Sequence, residues 1–258
     1  DTVDLPFSFF LKDFQIIKLD NRDEAMVGEN NLCVSENYIL VYGSVYELHP
    51  CRLFTKKGEF VTNIGAIGQG PGEYRAVYKA EIDEKHNCIY LMPFANSNAI
   101  YVYDLAGKPL RSIPLHQSVS KAVFKVDADK RELTVGALPF TGYPFVAWVQ
   151  DFEGHLLDSV PAARHLSVLP DYSNEVMYGA NTEVFDLYIS TFFELRPDTL
   201  YHYIRSESRL KPRFTLNIGD RKRSITTFYE LPQAYVGRLM VEEQVSDGMW
   251  ETKSPPNF

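Results

Sequence analysis

The stretch Ile100-Tyr101-Val102-Tyr103-Asp104-Leu105-Ala106-Gly107-Lys108-Pro109-Leu110 has the pattern of a β-hairpin. Alternating aromatic and aliphatic residues lead into a short turn, and the chain then returns in a second strand-like segment. Gly107 supplies the positive φ that a tight turn needs, and Asp104 suits the position before it. The stretch therefore predicts two adjacent antiparallel strands.

The same hairpin, preceded by another apolar strand, occurs at a regular interval along the chain. The three clear copies are residues 37–42 with 52–61, residues 87–92 with 100–110, and residues 131–135 with 146–157. Their turn glycines are Gly58, Gly107 and Gly154. An interval of about 50 residues is typical of one four-stranded propeller blade.

A fourth, degenerate copy comprises residues 184–189, 198–203 and 211–216, and its turn at 205–209 uses serines in place of glycine. The pattern fades between residues 220 and 235, and residues 236–241 begin a fifth unit. No linker-like run interrupts the 258 residues. The sequence therefore predicts an all-β fold, a β-propeller of four-stranded blades, as a single domain over residues 1–258 with four full blades and part of a fifth.

Residues 1–28 precede these copies and lack their glycine turn. The apolar segment 14–19 has strand character, and an unpaired apolar strand at a sheet edge promotes aggregation. We therefore predict that residues 14–19 form a strand that pairs elsewhere in the fold.

Composition argues against several classes of partner. The formal net charge is −8, from 26 Lys+Arg and 34 Asp+Glu, so the chain repels nucleic-acid phosphates. The basic run Arg221-Lys222-Arg223 is interpreted as a solvated loop. Cys33, Cys51 and Cys88 form no C-x-x-C pair, so we predict no metal site. No apolar run reaches about 20 residues, and we predict no membrane-spanning segment.

The stretch Gly65-Ala66-Ile67-Gly68-Gln69-Gly70-Pro71-Gly72-Glu73-Tyr74 is too rich in glycine and proline for a regular strand or helix. Two interpretations fit it. In one, its backbone amides cradle an anion while Glu73 and Tyr74 line a site for a sugar or a peptide. In the other, it is a crossing between blades in which Tyr74 packs and Glu73 caps neighbouring amides, and we favour this one. A nucleotide phosphate loop is excluded because no Lys-Ser/Thr follows Gly72.

Three segments together carry a resemblance to a known family: Gly68-Gln69-Gly70-Pro71-Gly72-Glu73-Tyr74, the turn Phe54-x-x-x-Gly58-Glu59-Phe60, and Asp198-Thr199-Leu200-Tyr201. Over about residues 10–235 the chain resembles the six-bladed β-propeller lipoproteins that anaerobic Gram-negative gut bacteria export, which are distant relatives of NHL-repeat propellers. The resemblance implies an exported protein, periplasmic or associated with the outer membrane through an upstream lipid. It implies no particular reaction.

The length departs from this family's pattern. Six blades need about 300 to 350 residues at the usual repeat length, and the chain has 258. Either the chain is truncated or it closes with fewer blades. In the family's pattern, residues 14–19 complete the last blade and close the ring.

In a propeller, the loops from the outer strand of one blade to the inner strand of the next lie on one face near the central channel. The predicted loops of this face are the glycine-rich stretch and residues 113–121, 160–182 and 217–235, of which the last two are long enough to suggest a binding role. The candidate ligand-binding residues on them are Glu73, Tyr74, His116, Arg164, His165, Tyr172, Tyr178, Arg221, Arg223 and Tyr229.

The sequence has no G-x-S-x-G elbow and no H-E-x-x-H motif. We therefore expect a binding or scaffold module rather than an enzyme, without a cofactor, whose ligand is a glycan or a peptide at the channel face. The alternative is a lyase or glycoside hydrolase with a site on the same face, using paired carboxylates or a His/Arg/Tyr set. A structural spacer is a third interpretation.

Overall fold

Antiparallel sheets follow one another along the chain in the computed structural model of the protein. The structure describes residues 6–9, 11–28, 31–43, 49–179, 184–191, 198–216, 224–231, 234–246 and 249–253. Their only helical turns are three short 3-10 helices, at Phe7–Phe9, Asp23–Ala25 and Arg205–Glu207. Among these residues no helix has the length and apolar character that crossing a membrane requires.

Four sheets each contain four consecutive strands. The first has β1 (Asn31–Val34), β2 (Tyr38–Tyr42), β3 (Cys51–Thr55) and β4 (Phe60–Ile64). A small parallel pair follows, β5 (Ala66–Ile67) with β6 (Glu73–Tyr74). The second sheet has β7 (Val77–Asp83), β8 (Cys88–Pro93), β9 (Ser97–Tyr103) and β10 (Ile113–Val119).

The remaining sheets continue this order. The third has β11 (Ala122–Asp127), β12 (Glu132–Ala137), β13 (Phe145–Asp151) and β14 (Leu156–Pro161). The fourth has β15 (Glu175–Met177), β16 (Asp186–Ser190), β17 (Asp198–Ile204) and β18 (Arg209–Leu216). The fifth has three, β19 (Ser224–Glu230), β20 (Tyr235–Ser246) and β21 (Met249–Lys253). The all-β propeller architecture predicted from the sequence is confirmed.

The core consists of apolar layers between successive sheets, and strand periodicity explains why. Successive side chains of a strand point to opposite faces. On β8, Ile89 and Leu91 pack against the first sheet, whereas Tyr90 and Met92 pack against the third. The central strand β8 is therefore apolar at every position, as expected for a strand whose sheet is covered on both faces.

The hairpin turns within the blades agree with the sequence prediction. Gly58, Gly107 and Gly154 adopt φ values of 88°, 81° and 90°. In the fourth sheet Ser208 takes the left-handed conformation instead, with φ 47°. A serine in this conformation satisfies the geometry of the turn at a higher conformational cost than glycine.

The chain before the first sheet differs from the prediction. Residues 14–19 form no strand, and the side chains of Phe14 and Ile16 are exposed. Instead Ile17 and Leu19 pack on the outer face of the first sheet, where the Asp20 amide donates to the Gly58 carbonyl at 2.7 Å. The prediction that residues 14–19 form a pairing strand is therefore wrong. Alternate side chains of this segment pack on the first sheet in place of a ladder of backbone hydrogen bonds.

All four predicted loops contain strand residues, since β5 and β6 lie in the glycine-rich stretch and β15 lies within residues 160–182. Residues 113–119 form β10, so only residues 120–121 cross to the third sheet. Pro114 is tolerated because β10 is the edge strand of its sheet. Residues 224–230 form β19, so the fifth unit begins earlier than residue 236.

The topology places the connections on two faces of the ring. In each four-stranded sheet, the turns between the first and second strands and between the third and fourth strands lie at one end. The connections between the second and third strands lie at the other end, together with the crossings to the next sheet. We call this second end the crossing face, and it is the face that the sequence analysis assigned to ligands.

Candidate functional site

The glycine-rich stretch is a closed crossing between the first two sheets. The Gly68 amide donates to the Tyr74 carbonyl at 3.0 Å, and Glu73 Oε2 accepts the Gly70 amide at 2.8 Å. A Cβ atom at Gly68 would lie 1.9 Å from the Glu73 carboxylate. A side chain at position 68 would therefore have to displace the Glu73 carboxylate from the Gly70 amide, which it binds within its own loop.

Tyr74 connects the same two sheets from the inside. Its side chain is 4% exposed, and its hydroxyl accepts the Cys51 amide at 2.7 Å and donates to the Ile64 carbonyl at 2.5 Å. Its ring meets that of Tyr103 edge to face, and burial raises the pKa of the Tyr74 hydroxyl. These contacts suit the structural interpretation of the stretch, and a ligand role for Glu73 and Tyr74 stays a prediction.

The structure separates several of the other candidate residues. His116 is exposed on β10, with Nδ1 3.2 Å from the Gly154 carbonyl. Tyr178 follows β15 and stacks on Phe185, with ring centroids 5.0 Å apart. Arg164 and His165 are exposed in the connection 162–174, and Tyr229 lies in β19. The candidates Arg221 and Arg223 lie outside the described residues.

Tyr172 is the candidate that lies in a cluster on the crossing face. Its ring is 5.8 Å from that of Phe94 and 5.7 Å from that of Phe140, and its side chain remains 49% exposed. Tyr143 packs on Phe140 at 5.9 Å. We call Phe94, Phe140, Tyr143 and Tyr172 the aromatic platform. It joins three sequence-distant connections, with Phe140 buried at 5% exposure and Tyr172 as its most exposed ring.

The backbone holds the two phenylalanines of the platform. The Phe94 amide donates to the Ala76 carbonyl and the Ala95 amide donates to the Ser120 carbonyl, both at 2.9 Å. Ala95 and Asn96 follow in the left-handed region, with φ 62° and 52°. Non-glycine residues in this region cost about 1–2 kcal/mol each. The bonds to neighbouring segments therefore maintain a turn that its own residues disfavour.

The connection that carries Tyr172 is fixed by a buried lysine. The Lys121 side chain is 3% exposed, and Nζ donates to the carbonyls of Tyr172 at 2.7 Å and Asn174 at 2.9 Å. Its third bond is a short ion pair to Glu175. Since an ammonium group has three donors, all the hydrogen bonds of Lys121 are used within the protein.

Tyr78 completes the cluster below the platform. Its hydroxyl donates to Glu175 Oε2 at 2.6 Å and accepts the Val176 amide at 3.1 Å. Its ring is 6.3 Å from that of Phe94, and Lys121 Nζ lies 5.6 Å above it. Tyr78 belongs to the second sheet and Glu175 to the fourth, so the contact spans the inner strand of the third. Glu175 is held in one orientation with 40% of its side chain exposed.

Of the residues in the platform and the cluster below it, Tyr172 is the one that was a candidate from the sequence. A local signal existed for the two phenylalanines, since Pro93-Phe94 and Pro139-Phe140 stand at equivalent positions after the second strands of their blades. For Tyr78, Lys121 and Glu175 no local signal existed. They come from β7, from the crossing before β11 and from β15, and only the side-by-side packing of the second, third and fourth sheets brings them together.

Three titratable groups lie deeper between the inner strands. Lys79 Nζ lies 5.5 Å over the Tyr178 ring, and burial lowers the pKa of Lys79. Burial raises the pKa of Glu81 to about 7 and that of Asp186 to about 6. Asp186 Oδ1 accepts the Gly179 amide at 2.7 Å, whereas Oδ2 has no hydrogen-bond partner in the described part of the chain.

The opposite face carries a cavity of about 480 Å³ between the first three sheets. Its acidic side chains have partners in the protein. Asp83 pairs with His86 at 2.7 Å and Asp129 with Lys85 at 2.6 Å. Across the residues that the structure describes, no three His, Cys, Asp or Glu side chains form a group that could hold a metal ion. The crossing face therefore remains the better candidate for a ligand.

A comparison with protein families identifies the family of the chain. The family DUF4934, a domain of unknown function, matches residues 1–243. The chain belongs to the DUF4934 family. No curated protein matches the chain. The strands from β1 to most of β20 fall within the matched part of this DUF4934 chain, and β21 lies beyond it.

Solved structures with a similar fold include two from Bacteroides. A Bacteroides fragilis protein described as a candidate exported protein has a TM-score of 0.57 at 16% identity, covering 94% of this chain and 75% of that one. The extracellular domain of a candidate one-component system from B. thetaiotaomicron has a TM-score of 0.50 at 16% identity, covering 89% and 28%. The WD40 β-propeller domain of Doa1 has a TM-score of 0.47 at 11% identity, covering 81% and 58%. At these identities the likeness shows the fold alone.

Proposed function

We propose that this DUF4934 chain is an exported β-propeller that binds a glycan at the crossing face, with the aromatic platform as its contact surface. The observation that carries the proposal is the half-exposed ring of Tyr172, flanked by Phe94 and Phe140. Flat aromatic surfaces bury the apolar faces of sugar rings. A rigid aromatic side chain gives this contact area at little cost in conformational entropy.

The rigidity of the platform supports binding. Lys121 fixes the backbone on both sides of Ser173, and the Thr141 amide donates to the Val168 carbonyl at 2.9 Å. Binding to a surface that is already ordered avoids the cost of ordering loops, and this preserves affinity. Glu175, exposed beside the platform, adds an oriented acceptor for sugar hydroxyl groups.

Export is part of the proposal. Two proteins with a similar fold are described as a candidate exported protein and as an extracellular domain, and this supports a location outside the cytoplasm. The family resemblance seen in the sequence adds attachment to the cell envelope through a lipid upstream of Asp1. This part is tested separately in cells that express the natural precursor. If it is a lipoprotein, globomycin should block processing of the precursor, and the processed protein should fractionate with membranes.

The binding test is a screen of a glycan array and a random peptide library, followed by titration calorimetry on the strongest ligand. We expect a glycan that binds wild type and Phe152→Ala equally but loses affinity for Tyr172→Ala. Phe152 is the control because it is a partly buried aromatic residue in a turn at the opposite face. Peptide binding alone, or glycan binding unaffected by Tyr172→Ala, would contradict the proposal. Product analysis of the same mixtures detects cleavage, the alternative activity.

A further inference from the structure

We infer that the platform binds neutral or amino sugars and rejects acidic ones, because the charge that it presents to a ligand is negative. The inference rests on the proposed function and names the chemical class of its ligand. We call Lys121, Tyr78 and Glu175 the Lys121 cluster. The inference follows from which of its hydrogen-bonding and charged groups remain available to a ligand.

The lysine is not available. Lys121 is 3% exposed, and its three donors are used by Tyr172, Asn174 and Glu175. A carboxylate or sulfate on a ligand would therefore have to displace one of these bonds to reach the ammonium. Breaking a bond to a buried charge is costly, so the positive charge of Lys121 organises the site without recognising the ligand.

Glu175 is available. Its two oxygens bind Lys121 and Tyr78, yet 40% of its side chain is exposed. A carboxylate has about four lone-pair sites, so two remain for donors on a ligand. A vicinal pair of sugar hydroxyls or a sugar ammonium supplies such donors. A uronate or sulfate supplies a second negative charge instead.

Asp171 adds a second carboxylate to the same connection. Its Oδ1 accepts the Ser173 amide at 2.8 Å and the Ser173 hydroxyl at 2.7 Å. These bonds lower the pKa of Asp171, and the charge of Lys121 lowers it further, which places Asp171 within electrostatic reach of the cluster. The connection thus carries a second carboxylate next to Tyr172, whereas the lysine of the cluster has no free donor.

Among the described residues of the crossing face, Arg75 and Arg164 are exposed, and neither makes a hydrogen bond or an ion pair with the cluster. Salt screens exposed charges of this kind over about 8–10 Å. Glu175, which is bonded to Lys121 and Tyr78, is the charge held in a fixed position beside the platform.

The test compares hexasaccharides that differ only in charge. Three backbones, β-1,4-glucose, β-1,4-mannose and α-1,4-galactose, are each prepared as the neutral hexamer and as the corresponding uronate, and a glucosamine hexamer supplies the cationic form. Titration at 20 mM and 300 mM NaCl uses wild type, Glu175→Gln, and Glu153→Gln as a surface control. The ratio of the neutral to the uronate association constant is the readout.

For at least one of the three sugar series, we expect wild type to bind the neutral hexamer at least about tenfold more tightly than the uronate at low salt. The ratio should fall at high salt and approach one in Glu175→Gln, but not in Glu153→Gln. If Glu175→Gln does not fold, the salt dependence of the wild-type ratio decides alone. A uronate bound as tightly as its neutral partner, with binding lost in Tyr172→Ala, overturns this inference and leaves the proposed function standing. Absence of binding to any hexamer counts against both.

Discussion

The hydroxyl of Tyr78 lies 2.6 Å from Glu175 Oε2, and this contact joins the second sheet to the fourth across the inner strand of the third. The same hydroxyl accepts the Val176 amide at 3.1 Å. Tyr78, on the inner strand of the second sheet, therefore links the packing of the sheets to the candidate site. Whatever stabilises this contact also orients the Glu175 carboxylate beside the platform.

Tyr78→Phe should lower the free energy of unfolding by about 1–3 kcal/mol, because it leaves the Val176 amide without an acceptor. Urea denaturation followed by tryptophan fluorescence measures the change. Tyr101→Phe is the matched control, since the partly buried Tyr101 makes no hydroxyl hydrogen bond to the residues that the structure describes, and its effect should stay within about 0.5 kcal/mol. Equal effects of the two substitutions would show that the Tyr78 hydroxyl contributes nothing to stability.

Lys121→Met should destabilise the protein by about 1–3 kcal/mol, because it leaves the carbonyls of Tyr172 and Asn174 without their donor, whereas the half-exposed Glu175 carboxylate can be solvated by water. Limited proteolysis should then cut first within the connection 162–174. The control is Lys85→Met, which removes an exposed pair to Asp129 and should cost about 1 kcal/mol or less. If the variant retains wild-type stability and the same cleavage pattern, Lys121 does not anchor the connection.

Gly107→Ala and Gly142→Ala separate backbone strain from steric clash. Both residues have positive φ, 81° and 97°, and alanine in this region costs about 1–2 kcal/mol. Only at Gly107 does a new Cβ also meet a backbone atom, the Asn63 carbonyl oxygen at 2.3 Å. Gly107→Ala should therefore lose more stability than Gly142→Ala in thermal and urea unfolding. The reverse order would mean that the turn at Gly107 shifts enough to relieve the clash with the Asn63 carbonyl.

Asp186→Asn should flatten the pH dependence of stability between about pH 4 and pH 6. Burial raises the pKa of Asp186 to about 6 in the folded protein, whereas an unfolded aspartate titrates near about 3.9. The folded state therefore binds this proton more tightly, and the contribution of Asp186 to stability is lost as pH rises through this window.

The difference between the urea midpoints of wild type and Asp186→Asn, measured from pH 4 to pH 8, isolates this contribution. Relative to the variant, wild type should lose on the order of 2 kcal/mol as pH rises, and most of the loss should occur below about pH 7. Glu153→Gln, at an exposed surface pair with Arg131, should follow the wild-type profile. A constant difference between wild type and Asp186→Asn would show that Asp186 titrates normally.

The fold was predictable because its signals are local and repeated. A glycine turn and an apolar strand recur in each blade, and they identified β2–β4, β8–β9, β12–β14 and β16–β18 without knowledge of the ring. Errors arose where tertiary contacts override the pattern. Residues 14–19 read as a strand but pack as an extended segment, and residues 113–119 read as a loop because Pro114 and His116 interrupt the apolar pattern.

The site was predictable only in part. The length of the connection 162–174 pointed to Tyr172, since long loops on the ligand face of a propeller carry binding residues. Nothing near Lys121 or Glu175 in the sequence indicates that they pair, because the contact forms only when the third and fourth sheets close side by side. A buried lysine with three acceptors looks like any other lysine in the sequence.

The central claim, a glycan bound on the aromatic platform, is tested most directly by titration calorimetry of Tyr172→Ala against the best glycan from the array, with circular dichroism to confirm folding. Loss of an aromatic face that buries against a sugar should weaken binding by about tenfold to a hundredfold. Phe152→Ala, on the opposite face, should bind like wild type. A folded Tyr172→Ala variant with wild-type affinity would contradict the claim.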